Sequence, residues 1–183
     1  MKKRWFSVCV VMLVFMAGAA GAEEAFRIGP GDVLEISVWR DESLSRKVVV
    51  PPDGIISFPL IGDIAETRLT VRELRTVLTQ KLAEYVPDAT VTVMLLEIRS
   101  LNAYVIGKVN RPGEYPVSMD TSVMQLLSMA GGLNPFASEK KIHVLRQTDG
   151  KTRKIPFNYK EVLKGINLGQ NILLQRGDVI VVP

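Results

Sequence analysis

Apolar and polar residues interleave over residues 33–38 (Val33, Leu34, Glu35, Ile36, Ser37, Val38), directly after the turn sequence Gly29-Pro30-Gly31-Asp32. This pattern predicts a strand. Residues 46–50 predict a second strand. Pro51-Pro52-Asp53-Gly54 then predicts a hairpin turn, with proline presetting φ and glycine accepting φ > 0, and residues 55–58 the strand returning from it. Residues 60–64 form a short apolar segment broken by Gly62-Asp63. The period changes at Thr70, where Val71, Leu74, Leu78, Leu82 and Tyr85 recur at helical spacing. Thr70 and Glu73 have the spacing of a capping box, in which each side chain satisfies a free backbone N–H of the first turn. Pro87 is expected to end this helix. The β-branched run at residues 90–98 predicts a further strand.

The rest of the chain repeats this alternation of periods. Residues 101–107 predict a strand, 108–114 a turn containing Arg111-Pro112-Gly113, and 115–117 the return. A helix is expected over residues 122–130, opened by a second capping box at Ser122 and Gln125 and stopped by Gly131-Gly132. Strands are expected at 142–146 and 153–157 around Asp149-Gly150, a short helical turn at 158–164, and strands at 172–174 and 179–182 joined across Gly177-Asp178. Strand, hairpin, helix and further strands is the order of a β-grasp-like domain. The predicted fold class is therefore α+β: two small β-rich domains, each a sheet with a packed helix, dividing near Ser100 into residues 23–99 and 100–183. Domains this small bury a modest share of their surface, so packing between them, or between subunits, would help. Gly-Asp-Val occurs at Gly31 and again at Gly177; this is recurrent turn chemistry, not an internal repeat.

Residues 1–22 change how charge is read. Lys2, Lys3 and Arg4 precede an apolar run and then the small residues 17–22, with Ala20-Gly21-Ala22 fitting a signal-peptide cleavage site before Glu23. The strongly apolar stretch is about 12 residues, short of the ~20 a spanning helix needs. The full chain has a net charge of +4. Removing the leader leaves 20 basic and 19 acidic residues, a net charge of +1. That excludes a large electrostatic footprint for nucleic acid. The one cysteine, Cys9, lies inside the apolar run, so a mature chain has no disulfide, and no cysteine stands at the cleavage point to carry a lipid.

The chemical inventory is sparse. His143 is the one histidine, on a predicted strand, where a surface or satisfied role outweighs a catalytic one. Zinc sites, Cys–His nucleophiles and Ser–His–Asp triads have almost no material, and no cofactor is expected. Paired carboxylates of the glycosidase type would have to come from Asp32, Asp41, Glu42, Asp53, Asp63 and Asp178. Asp32, Asp53, Asp63 and Asp178 each adjoin a glycine, where aspartate is a turn residue. Trp39 and Arg40 could stack on a sugar ring, with a core or interface tryptophan as the favoured reading; Tyr104 and Tyr115 face the same choice. The turn with Lys108, Asn110 and Arg111 is polar and punctuated by Pro-Gly, and is expected to be an exposed contact loop.

Two stretches carry a family resemblance. Residues 26–39, Phe-Arg-Ile-Gly-Pro-Gly-Asp-Val-Leu-Glu-Ile-Ser-Val-Trp, continued by Val50-Pro51-Pro52-Asp53-Gly54 and the helix at Thr70, resemble the opening of the export domain of outer-membrane polysaccharide export (OPX) proteins. Residues 104–115, Tyr-Val-Ile-Gly-Lys-Val-Asn-Arg-Pro-Gly-Glu-Tyr, with Leu126-Leu127-Ser128-Met129-Ala130-Gly131-Gly132-Leu133, resemble the start of a soluble-ligand-binding β-grasp (SLBB) domain. The resemblance implies a non-enzymatic role in moving capsular polysaccharide or exopolysaccharide across the envelope. It also implies assembly as a homo-oligomeric ring and cooperation with an inner-membrane polysaccharide co-polymerase. The best-known members carry a lipidated cysteine and a C-terminal helix that spans the outer membrane. Here the chain stops at Pro183, so the expectation is a short periplasmic member, in the periplasm or on the periplasmic face of the outer membrane, with a separate outer-membrane β-barrel as pore. Two other readings stand beside it: a monomeric periplasmic module that binds a glycan or soluble ligand, and an envelope glycan lyase or hydrolase needing two carboxylates converging in a groove.

Overall fold

The structure is a computed structural model and describes residues 25–65, 68–148 and 150–183. The leader with Cys9, and Asp149 of the expected turn, lie outside the described residues. The fold is α+β. In the first half β1 (Val33–Val38) is the central strand, between β2 (Asp41–Val49) and β5 (Val91–Glu97), both antiparallel to it. The short strands β3 (Ile56–Phe58) and β4 (Gly62–Ile64) pair with each other. Helix α1 (Val71–Leu82) starts at the Thr70–Glu73 capping box as expected, and both reciprocal hydrogen bonds are present. It buries Leu74, Leu78 and Leu82 in one cluster with Leu34, Ile36, Val38, Phe58, Ile64 and Val93.

The second half is a five-stranded mixed sheet in the order β7 (Gly113–Pro116), β6 (Asn102–Gly107), β10 (Val179–Val182), β8 (Ile142–Thr148), β9 (Lys151–Phe157). Strand β10 runs parallel to β6 and antiparallel to β8, so the strand latest in sequence sits in the middle. Helix α2 (Val123–Met129) opens at the Ser122–Gln125 capping box and buries Val123, Leu126 and Leu127 against Val105, Val144 and Ile180. Asn158 caps the short helix α3 (Tyr159–Leu163). The buried apolar residues form two clusters, one drawn from residues 28–93 and the other from 103–182.

Three local expectations are corrected. Residues 55–58 do not return along β2; β3 turns through residues 59–61 and pairs with β4 instead. Pro51 and Pro52 can donate no ladder hydrogen bond, and Val50 is already bonded through its N–H to Asp32 O and through its carbonyl to Gly31 N. Helix α1 stops at Leu82, well before Pro87. The amides of Tyr85 and Val86 both fold back onto Leu82 O, and Tyr85 leaves the apolar face and is exposed. Residues 172–174 make no strand: Leu173 bridges only to Ser122, while Leu174 is buried beside α2.

Candidate functional site

The two Gly-Asp sequences fold alike. In the first, Asp32 N donates to Gly29 O at 3.1 Å, Gly31 adopts φ +89°, and Asp32 Oδ2 accepts from Gly29 N at 2.8 Å. In the second, Asp178 N donates to Gln175 O at 3.1 Å, Gly177 adopts φ +81°, and Asp178 Oδ2 accepts from Gln175 N at 2.8 Å. Glycine supplies the left-handed backbone and the aspartate carboxylate closes the turn onto its own first amide. Each turn then launches a strand, β1 or β10. Both aspartates are fully buried, so their remaining lone pairs must be met inside the protein.

The partners differ. Asp32 Oδ1 accepts from the amides of Arg99 at 2.9 Å and Ser100 at 2.8 Å, and Oδ2 also accepts from Ser100 Oγ at 2.8 Å. Those two residues lie between β5 and β6, so the carboxylate of the first turn grips the crossing between the halves. Asp178 is held by Arg146 through Nε at 2.9 Å and Nη2 at 2.6 Å, a buried two-pronged ion pair from β8. Arg146 Nη2 also donates to Leu173 O at 2.8 Å.

The second turn reaches the first through its exposed corner. Arg176 Nη2 donates to Arg27 O at 2.8 Å and to Ser100 Oγ at 2.6 Å. Ser100 therefore passes a hydrogen bond from Arg176 to Asp32, a short polar chain across the junction. A Cβ on Gly29 would collide with the Arg176 guanidinium, so a side chain there would have to push that guanidinium off its bonds to Arg27 O and Ser100 Oγ. Partial desolvation holds Arg176 below the usual guanidinium range; the nearby Asp32 charge raises it and the Arg68 charge lowers it further.

Cavities open on both sides of this contact. One, of about 300 Å³, lies between the Gly29-Pro30 turn and Pro52-Asp53-Gly54, so it joins the two turn sequences of the first half. The other, of about 1220 Å³, is an open cleft between the halves lined by Phe26, Arg27, Met119, Asp120, Gln147 and Gln175 among others. Arg68 and Arg176 line both. Nothing in the sequence pattern marked Arg68, Arg146 or Arg176; Arg146 and Arg176 act through partners 32 and 76 residues away along the chain, and Arg68 is brought to the cavities by the fold.

The residues expected to matter fall elsewhere. Lys108, Asn110 and Arg111 are exposed, on the far end of β6. Asn110 Nδ2 donates to Gly131 O at 2.6 Å and Arg111 Nη2 to Met129 O at 3.1 Å, so both side chains cover carbonyls at the end of α2. Trp39 is 71% exposed on the β1–β2 hairpin, beside Arg40 with φ 64°. It is no core residue, which leaves an interface or a sugar-facing role. Tyr115 packs against the second core and donates its hydroxyl to Arg111 O at 2.5 Å. Tyr104 is on the outer face of the sheet beside Glu114. His143 is half-buried on the same face, its Nδ1 3.2 Å from Lys141 O. Among the described residues no three His, Cys, Asp or Glu side chains gather where they could hold a metal ion, and no helix is long and apolar enough to cross a membrane.

Residues 20–96 match the family described as polysaccharide biosynthesis/export protein, and residues 102–156 match the SLBB domain. The chain is 30% identical over 180 residues to the EPS I polysaccharide export outer membrane protein EpsA of Ralstonia nicotianae, an alignment covering 85% of this chain and 46% of that protein. It is 28% identical to the polysialic acid transport protein KpsD of Escherichia coli, over 63% of this chain and 21% of that protein. It is also 31% identical to the exopolysaccharide production protein ExoF of Rhizobium meliloti, over 68% of this chain and 34% of that protein. The chain thus spans less than half the length of each of these relatives.

Proposed function

Since the chain belongs to the outer-membrane polysaccharide export family, we propose that it is a non-enzymatic periplasmic component of a capsule or exopolysaccharide export apparatus, forming part of a trans-envelope conduit. The observation that carries this reading is the tandem order of the two matched regions, export domain then SLBB domain, in a chain whose relatives are named for polysaccharide export. In this reading residues 1–22 are removed as a signal peptide, and residues 23–99 and 100–183 are two domains. The mature protein assembles as a homo-oligomeric ring. It works with an inner-membrane co-polymerase, and a separate outer-membrane β-barrel is its pore. Lys108, Asn110 and Arg111 form an exposed contact loop, a role compatible with their bonds to the end of α2. The burial of Asp32 and Asp178, with their oxygens taken up by turn amides, Ser100 and Arg146, supports a role other than hydrolysis for the Gly-Asp carboxylates.

The test is a deletion of the gene, with polysaccharide quantified separately in surface, secreted and periplasmic fractions. Loss of surface glycan, restored by the intact gene, is the expected result. Unchanged surface glycan in a genome with no second copy would overturn the export reading. It would promote the alternative of a monomeric periplasmic glycan- or ligand-binding module, which the open cleft between the halves favours.

A further inference from the structure

The cleft between the halves has features that a packing contact does not need. Three arginines line it, against one carboxylate, Asp120, among the described residues. The charge of Arg27 is met by Glu73, 3.6 Å away. Arg176 is tied to Ser100 and through it to Asp32. Among the described residues, the Arg68 guanidinium has no hydrogen-bond or ion-pair partner. Its backbone is left-handed, with φ 62°, a conformation uncommon for a bulky residue and concentrated at ligand clamps. Its carbonyl is held there by Arg27 Nη1 at 2.9 Å. Two guanidiniums line one mouth where each disfavours the other, an arrangement that an oxyanion between them would relieve.

The remaining lining says what carries the oxyanion. Phe26 and Met119 offer apolar faces, and Gln147 an amide. Sugar C–H faces pack on apolar side chains, and hydroxyls bond amides. The volume of about 1220 Å³ exceeds the ~300–1,000 Å³ usual for a single small ligand, so it has room for more than one sugar ring. We propose that this cleft binds a carboxylate-bearing saccharide segment, with Arg68 and Arg176 holding the carboxylate. The proposal rests on the export reading for its biological meaning, because it names an acidic glycan as what the chain meets.

The test is calorimetric titration of the protein, expressed as the full chain and purified from the envelope, with tetragalacturonate, its carboxyl-reduced form and inorganic phosphate. Tetragalacturonate is expected to bind, and the reduced form at least about tenfold more weakly, as expected for loss of a charge-assisted pair. Binding should weaken as salt is raised. Arg68→Gln should weaken tetragalacturonate by about tenfold without moving the unfolding temperature, because Arg68 belongs to neither core nor either Gly-Asp turn; Arg176→Gln serves as a second variant. Equal binding of the reduced form, unchanged affinity in both variants, absence of measurable binding, or displacement by phosphate at equal concentration would each overturn the site. These outcomes are independent of the deletion experiment: loss of surface glycan on deletion with no uronate binding removes the site and keeps the export role.

Discussion

The turns at Gly29–Asp32 and Gln175–Asp178 are the same object locally and different objects globally. Each has a glycine at positive φ, an aspartate bonded to the first amide of its own turn, and a strand leaving from it. They part in what fills the rest of the carboxylate. Asp32 takes two amides and a hydroxyl from residues 99–100, neutral donors that belong to the crossing between the halves. Asp178 takes a guanidinium from within its own sheet. The local motif follows from rules that act over four residues, whereas its duty is set by whichever donor the tertiary fold brings to the outward side of the carboxylate.

The largest effect that would test this contrast is expected from Asp178→Ala. It strands Arg146, whose side chain is only 16% exposed; breaking one partner of a buried pair costs about 3–5 kcal/mol, measured by urea unfolding. Asp32→Ala removes an acceptor from neutral donors beside the partly exposed Ser100, where water can take its place. A cost of about 2 kcal/mol is expected, together with faster hydrogen exchange at the Arg99 and Ser100 amides while the amides of β8 and β10 keep their protection. A loss for Asp32→Ala as large as that for Asp178→Ala would break the distinction between a neutral and an ionic carboxylate site.

The smallest effect comes from the two capping boxes. Glu73 is exposed, and its carboxyl is held below the ordinary range first by the Thr70 amide, then by the Thr70 side chain and the Arg27 charge. A carboxyl depressed in the folded state stabilises the fold above its unfolded pKa, and the contribution disappears as pH falls through the folded value. The equivalent position of α2 is Gln125, which does not titrate. Acidification from pH 5 toward pH 3 should therefore fray the start of α1 and leave the start of α2 unchanged, read from the amide shifts of Glu73 and Gln125; equal fraying at both would refute it.

How much of this was legible follows the range of the interactions. Both capping boxes, the strands over residues 33–38 and 102–107, the glycine stop after α2 and the turn role of Asp32 and Asp178 depend on neighbours within a few residues, and sequence pattern reads those well. The pairing of β3 with β4 was missed because a Pro-Pro-Asp-Gly turn looks like a hairpin whatever the chain does afterwards. Tyr85 keeps helical spacing after the helix has ended, so periodicity alone placed it wrongly. The junction was the least legible part. Arg176 is 76 residues from Ser100 and 149 from Arg27, and a lone arginine in a turn carries no mark of what it will meet. The glycine at 29 held a trace of it, since the turn itself does not require that residue to lack a side chain.

The place of β10 in its sheet bears on the order in which the second half can form. Strands β6 and β8 are joined only through β10, so until residues 179–182 are available the second half is two separate hairpins, β6–β7 and β8–β9, with their shared apolar face open. A chain made from its N-terminus can settle the first half early, because its three-stranded sheet closes with β5 near residue 97. The second must wait for more than 80 further residues, and contacts that distant close slowly. The same four residues that complete the sheet thus set a period in which the half-made protein is sticky, and in which a chaperone would find it.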